Sequence, residues 1–145
     1  LEDRDVVYVE KLRAQESLAL PSRVGGRLPL NCTGVGKALL AYSSQGLIDE
    51  VLARPLRRLT AHSIVDAKRL EEAIGQIQVA GLAYEREEAQ IGGACIAAPI
   101  FREGTVVAAL SVSVPLSRFH PTRLAPAVKT AALGVSRALT RSTLR

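Results

Sequence analysis

Residues able to do chemistry fall into a few short stretches of this 145-residue chain. Cys95 is the obvious candidate nucleophile, and a thiol needs a nearby base to be activated. Only His62 and His120 could serve, and neither stands at a catalytic spacing from it. Cys95 also opens the apolar run Cys95-Ile96-Ala97-Ala98, where a small buried thiol behaves as an inert hydrophobe. Two His and two Cys, widely separated, form none of the familiar metal-ligand spacings. No metal site and no cofactor are therefore expected.

The segment Asn31-Cys32-Thr33-Gly34-Val35-Gly36-Lys37-Ala38 invites comparison with a phosphate-binding loop. That loop needs a glycine where Asn31 stands and a Ser or Thr where Ala38 stands. Both departures speak against nucleotide hydrolysis. The physics of the segment still matters. A helix starting there leaves backbone N–H groups unpaired and partly positive, and Gly34 and Gly36 put no side chain in the way of a small carboxylate. The same glycines would also let the helix pack tightly, and both readings stand. Ser111 and Ser113, two apart on a strand, share one face, with Val112 and Val114 on the other. That serine face either meets solvent or lines a polar pocket. Glu85-Arg86-Glu87-Glu88 reads as a solvated acidic loop, and Arg137, Arg141 and Arg145 as a solvated basic stripe.

The elements that must position these residues follow from local pattern. Residues 5–12 are β-rich and 17–20 form a second short strand, with 21–29 a loop containing Gly, Pro and Arg. Asn31 or Thr33 can cap a helix running from Lys37 to Tyr42. Ser44 caps a helix over 45–53, and Asp66 caps one over 67–80, with Gly81 as its C-terminal glycine. Residues 57–65 are an extended connection. Residues 82–84, 95–101 and 105–114 are strands, the last two joined by a tight turn at Arg102-Glu103-Gly104. A final helix starts near Pro121, and Pro126 should bend it. The order β-β-α-α-α-β-β-β-α predicts an α+β domain with an antiparallel sheet flanked by helices.

Composition bounds the function without naming it. Hydrophobic residues make up 48% of the chain, enough for a real core at this length. Aromatic residues are only 3%, too few for the stacking platforms of a single-strand nucleic-acid groove. The net charge is +5, yet 15 of the 19 basic residues are scattered arginines, and no basic run demands a polyanion partner. Two cysteines in unlike contexts fit a reduced, cytoplasmic setting. No apolar stretch is long enough to span a membrane, so no membrane partner is expected.

Read together, the stretches resemble the effector-binding domain of the IclR family of bacterial transcriptional regulators. They are Ser22-Arg23-Val24-Gly25-Gly26-Arg27-Leu28-Pro29-Leu30 running on into Thr33-Gly34-Val35-Gly36-Lys37-Ala38-Leu39-Leu40-Ala41. Next come Leu59-Thr60, Ile64-Val65-Asp66 and Gly81-Leu82-Ala83. Glu87-Glu88, Gly92 and Cys95-Ile96-Ala97-Ala98-Pro99-Ile100 follow, then Val107-Ala108-Ala109-Leu110-Ser111-Val112-Ser113. The resemblance implies a GAF-like or profilin-like fold over residues 1–145 as a single domain. It implies a homodimer or homotetramer that senses a small organic or aromatic acid, not an enzyme. It also implies DNA contact only through an N-terminal winged helix-turn-helix domain, expected to be missing because a strand begins almost at once. The effector site it implies consists of Gly34 and Val35 presenting backbone, Glu85 where the family commonly has Asp, Cys95, Ser111 and Ser113, with Leu20 and Leu28 as apolar wall. On this reading the serine face lines the pocket and Gly34 seats an anion. Glu85 would either be protonated by burial or bind a hydroxyl or amine, and Gly93 would enlarge the pocket. The alternatives are a GAF-like sensor from another signalling class, or an enzyme using Cys95 or Glu85.

Overall fold

A computed structural model describes residues 4–13 and 19–142. The chain opens with an antiparallel hairpin of β1 (Asp5–Val7) and β2 (Arg27–Pro29), in the register Val6 against Leu28. Helices α1 (Gly34–Ala41), α2 (Gln45–Leu52) and α3 (Ala67–Ala80) follow. Strands β3 (Ala83–Arg86), β4 (Gly93–Arg102) and β5 (Thr105–Pro115) then form an antiparallel sheet in the order β3-β4-β5. The long α4 (Pro121–Ser142) closes the domain.

The sheet separates two apolar clusters because successive strand residues point to opposite faces. Ala83, Ala97 and Ala109 face α1 and join Leu30, Val35, Leu40, Leu70 and Ile74 in the larger core. Leu82, Ile96, Ala98 and Ile100 face α4 and pack on Val128 and Ala132. Strand β4 is buried along residues 93–100, as a central strand covered on both faces must be. Small residues dominate its α1 face, so that helix lies close to the backbone.

Helix starts follow the predicted caps. Thr33 accepts from Gly36 N–H, Ser44 from Leu47 N–H, and Asp66 from Arg69 N–H. Gly81 ends α3 at φ +69°, the left-handed conformation that favours glycine there. The N-terminal third differs from expectation. The strand over 5–12 is only Asp5–Val7. The expected strand over 17–20 lies partly outside the described residues, and Ala19 and Leu20 are irregular. Its place against β1 is taken by Arg27–Pro29, inside what the sequence suggests is a loop. Turn-forming neighbours masked that strand, and pairing with β1 overrides local propensity. Helix α1 starts at Gly34 rather than Lys37, because Thr33 is the cap. Asn31 instead lies in a single 3-10 turn, and its Nδ2 donates to the carbonyls of Arg57 and Ile64.

Candidate functional site

Register brings most of the expected site residues onto one sheet face. Glu85 pairs with Cys95, and Cys95 with Ser113, so these residues form one row across β3, β4 and β5. Ala83, Ala97 and Ser111 form the next row. The start of α1 rests on both rows. A Cβ added to Gly34 would lie 2.5 Å from Cys95 Sγ, 3.3 Å from Ala97 Cβ and 3.8 Å from Glu85 Cβ. Only a residue without a side chain fits there, which is the close approach the Gly34 motif allows. Ser111 is half-buried and Ser113 exposed, so the serine row sits on the site face yet opens to solvent at the sheet edge.

Electrostatics separate the roles. The Gly34 N–H donates toward the Cys95 sulfur, so the first donor of the helix start is already engaged. Burial, with the Glu85 charge adding to it, pushes the Cys95 thiol up to about 12. A buried thiol that stays protonated is a poor nucleophile. His120 lies just before α4, on the other side of the sheet, and His62 is exposed beside Glu87 at 3.7 Å. Among the described residues, no group of three or more His, Cys, Asp or Glu is placed to hold a metal ion.

The acidic stretch that begins in β3 at Glu85 is not a solvated loop, contrary to the sequence expectation. Glu85 and Glu88 are both buried. Lys37, inside α1, donates from Nζ to both Glu88 carboxylate oxygens at 2.7 and 2.8 Å and to Tyr84 O at 2.8 Å. Glu85 Oε1 accepts from the backbone N–H groups of Glu88 and Ala89. Thr60 and Ser63 donate to the carbonyls of Glu87 and Glu88. Burial pushes both carboxyls above their ordinary range, and the Lys37 ammonium opposes the shift at Glu88. Lys37 is thus committed to an ion pair and unavailable to a phosphate. Sequence reasoning missed this network. Its signal was a lysine flanked on both sides by the small and apolar residues of a buried helix.

The remaining expected residues are less closely gathered. Val35 is buried and its side chain belongs to the main core, which leaves only its backbone for a ligand. Leu28 packs on that core from β2, and Leu20 is half-buried in irregular chain and joins neither cluster. Gly93 is buried at the start of β4 opposite Pro115. A separate half-open groove of about 420 Å³ lies at the far end of β4, among Tyr42, Phe101, Lys129 and Leu133.

The fold and site define a class, an α+β domain whose sheet is sheathed by helices and whose helix start closes on a small, mixed polar surface where, among the described residues, Cys95 has no paired base. The chain belongs to the IclR family, for residues 1–137 match the domain described as bacterial transcriptional regulator IclR C-terminal. It is 36% identical over 121 residues to the HTH-type transcriptional regulator KdgR of Dickeya chrysanthemi, covering 82% of this chain and 40% of that protein. It is 33% identical over 144 residues to the regulator XynR of Escherichia coli, covering 96% and 57%. The chain spans about half the length of the curated relatives it matches. Among solved structures, an IclR homolog from Microbacterium hydrocarbonoxydans, complexed with 4-hydroxybenzoate, superposes with a TM-score of 0.91 at 31% identity, covering 96% of this chain and 57% of that one. The C-terminal domain of E. coli KdgR gives 0.83 at 30%, covering 97% and 84%. The expected α+β fold and family are thereby met. Among the described residues, no helix is long and apolar enough to cross a membrane.

Proposed function

We infer that this chain is the small-molecule-sensing domain of a bacterial transcriptional regulator, and that its effector is a small organic or aromatic acid. The observation that carries the reading is the row Glu85-Cys95-Ser113 with the Gly34 helix start seated on it. A bound carboxylate would take the Val35 N–H at the start of α1 and hydroxyls from Ser111 and Ser113, while Leu28 and Leu20 cover its apolar part. The 4-hydroxybenzoate bound to the Microbacterium homolog supports that ligand class. The domain acts without catalysis, which accords with the buried thiol and with relatives named as regulators. DNA is contacted by a separate domain of the same regulator, since the helix-turn-helix relatives extend well beyond the matched part. It works in the cytoplasm as a homodimer or homotetramer, and the effector signals by favouring one of two states.

A thermal-shift screen of small aliphatic and aromatic carboxylates tests the reading. At least one acid should raise Tm, and Ser111→Ala with Ser113→Ala should weaken its binding tenfold or more. Both serines are at least partly exposed, so the double variant alone should cost under about 1 kcal/mol of stability. A domain that no acid stabilises, or a hit untouched by the double variant, contradicts the assignment.

A further inference from the structure

Strand β4 runs on past β3. Ala97 is its last residue paired with that strand, at Ala83, and residues 98–102 continue against β5 alone. Beside that overhang lies the groove of about 420 Å³, bounded by the ends of α1 and α3 and one side of α4. Its volume is that of an ordinary ligand pocket, and such pockets are mostly apolar with a few polar groups.

The apolar part is well defined. Tyr42 and Phe101 meet edge to face with ring centroids 5.1 Å apart, and the Tyr42 hydroxyl donates to Ile77 O, which fixes this wall. Ser136 Oγ accepts from Phe101 N–H and donates to Ala132 O, so its hydrogen bonds are made within the fold. Leu133 stands 51% exposed at the groove and joins neither core cluster.

The polar part is one cation. Lys129 lines the groove, and no Asp or Glu lines it with Lys129 among the described residues. Its Nζ lies 3.9 Å from where a Cβ on Gly81 would stand. That is the carbonyl end of α3, whose partial negative charge favours an ammonium. Among the described residues no carboxylate pairs with Lys129, and none of its three N–H donors is in a hydrogen bond. Lys129 and Ser136 stand seven residues apart, about 10 Å along the axis of α4. An elongated apolar slot with one unpaired cation matches a molecule with an apolar body and a single anionic end.

We propose that this groove is a second binding site, separate from the row, for an amphipathic monocarboxylate whose apolar body lies on Tyr42, Phe101 and Leu133 and whose carboxylate meets Lys129. The proposal is independent of the sensing reading above. The test titrates the chain with octanoate and with octylamine, which carries the same tail and the opposite charge, by calorimetry and amide chemical shifts. Octanoate should shift Gly81, Phe101 and Leu133, and bind about tenfold or more tightly than octylamine. Lys129→Gln should weaken octanoate about tenfold, the scale of one charge-assisted hydrogen bond. Leu133→Asp should weaken it further, whereas Ser111→Ala with Ser113→Ala should leave it unchanged. Lys129 and Leu133 are exposed, so both variants should keep the unliganded Tm within a few degrees. Octanoate that does not bind, that binds no better than octylamine, that keeps its affinity in Lys129→Gln, or that shifts only Gly34 and the serines overturns the second site. Each of those results leaves the sensing reading standing.

Discussion

At the scale of single residues, Glu85 at the end of β3 and Glu88 just after it form a buried electrostatic unit with Lys37. Lys37 and Glu88 are both buried and paired, with the Lys37 ammonium also held by Tyr84 O. Removing one partner strands the other charge, which costs about 3–5 kcal/mol, whereas replacing both by apolar groups is often near neutral. Lys37→Met should therefore lower unfolding stability in urea by that amount, and Lys37→Met with Glu88→Leu should recover most of it. Equal losses in the single and double variants would mean the pair is only incidental. Glu85 offers a second test. Its pKa is raised first by burial and then by the Glu88 charge, against the N–H groups of Ala89 and Glu88 and the Lys37 ammonium, with Cys95 and Tyr8 alongside. A carboxyl raised on folding contributes stability below its unfolded pKa, and loses it as pH rises through the folded value. Glu85→Gln keeps an oxygen for the Glu88 and Ala89 N–H groups. Its urea midpoint should exceed that of wild type at pH 7–8, and the gap should close as pH falls into the ordinary glutamate range. A gap that widens on acidification would contradict the burial account.

At the scale of elements, the meeting of α1 with β4 is the most constrained contact. Gly34→Ala puts a methyl group 2.5 Å from Cys95 Sγ, against a buried strand. It should cost about 1–3 kcal/mol, as overpacking does, and abolish acid binding. Cys95→Ala in the same chain should restore part of the stability, as calorimetry can show. By contrast Gly75, inside α3, has open space around it, so Gly75→Ala should gain roughly 0.5–1 kcal/mol. Helices were legible in sequence because their caps and periodicity are local, and Ser44, Asp66 and Gly81 fall where expected. Strand β2 was not, because Arg27-Leu28-Pro29 becomes a strand only by pairing with Asp5–Val7, 20 to 24 residues away. The row Glu85-Cys95-Ser113 was legible only as separate residues, since sequence fixes which face each occupies but not the register between strands. Lys37 and Glu88, 51 positions apart, carried no local sign of pairing.

At the scale of the molecule, two places compete for a small ligand. One is the polar row beneath the start of α1. The other is the 420 Å³ groove at the far end of β4, mostly apolar and bordered by Lys129. Size favours the groove, whereas donors, glycine-permitted approach and an oriented pair of serines favour the row. A sensor must bind differently in its two states, and the row is where α1 and the 85–89 segment meet the sheet. Amide chemical-shift mapping with the acid that most raises Tm decides between them. The account predicts that the largest perturbations fall on Gly34, Val35, Cys95, Ser111 and Ser113. Perturbations centred on Phe101, Lys129 and Leu133, with Gly34 and the serines unmoved, would contradict it.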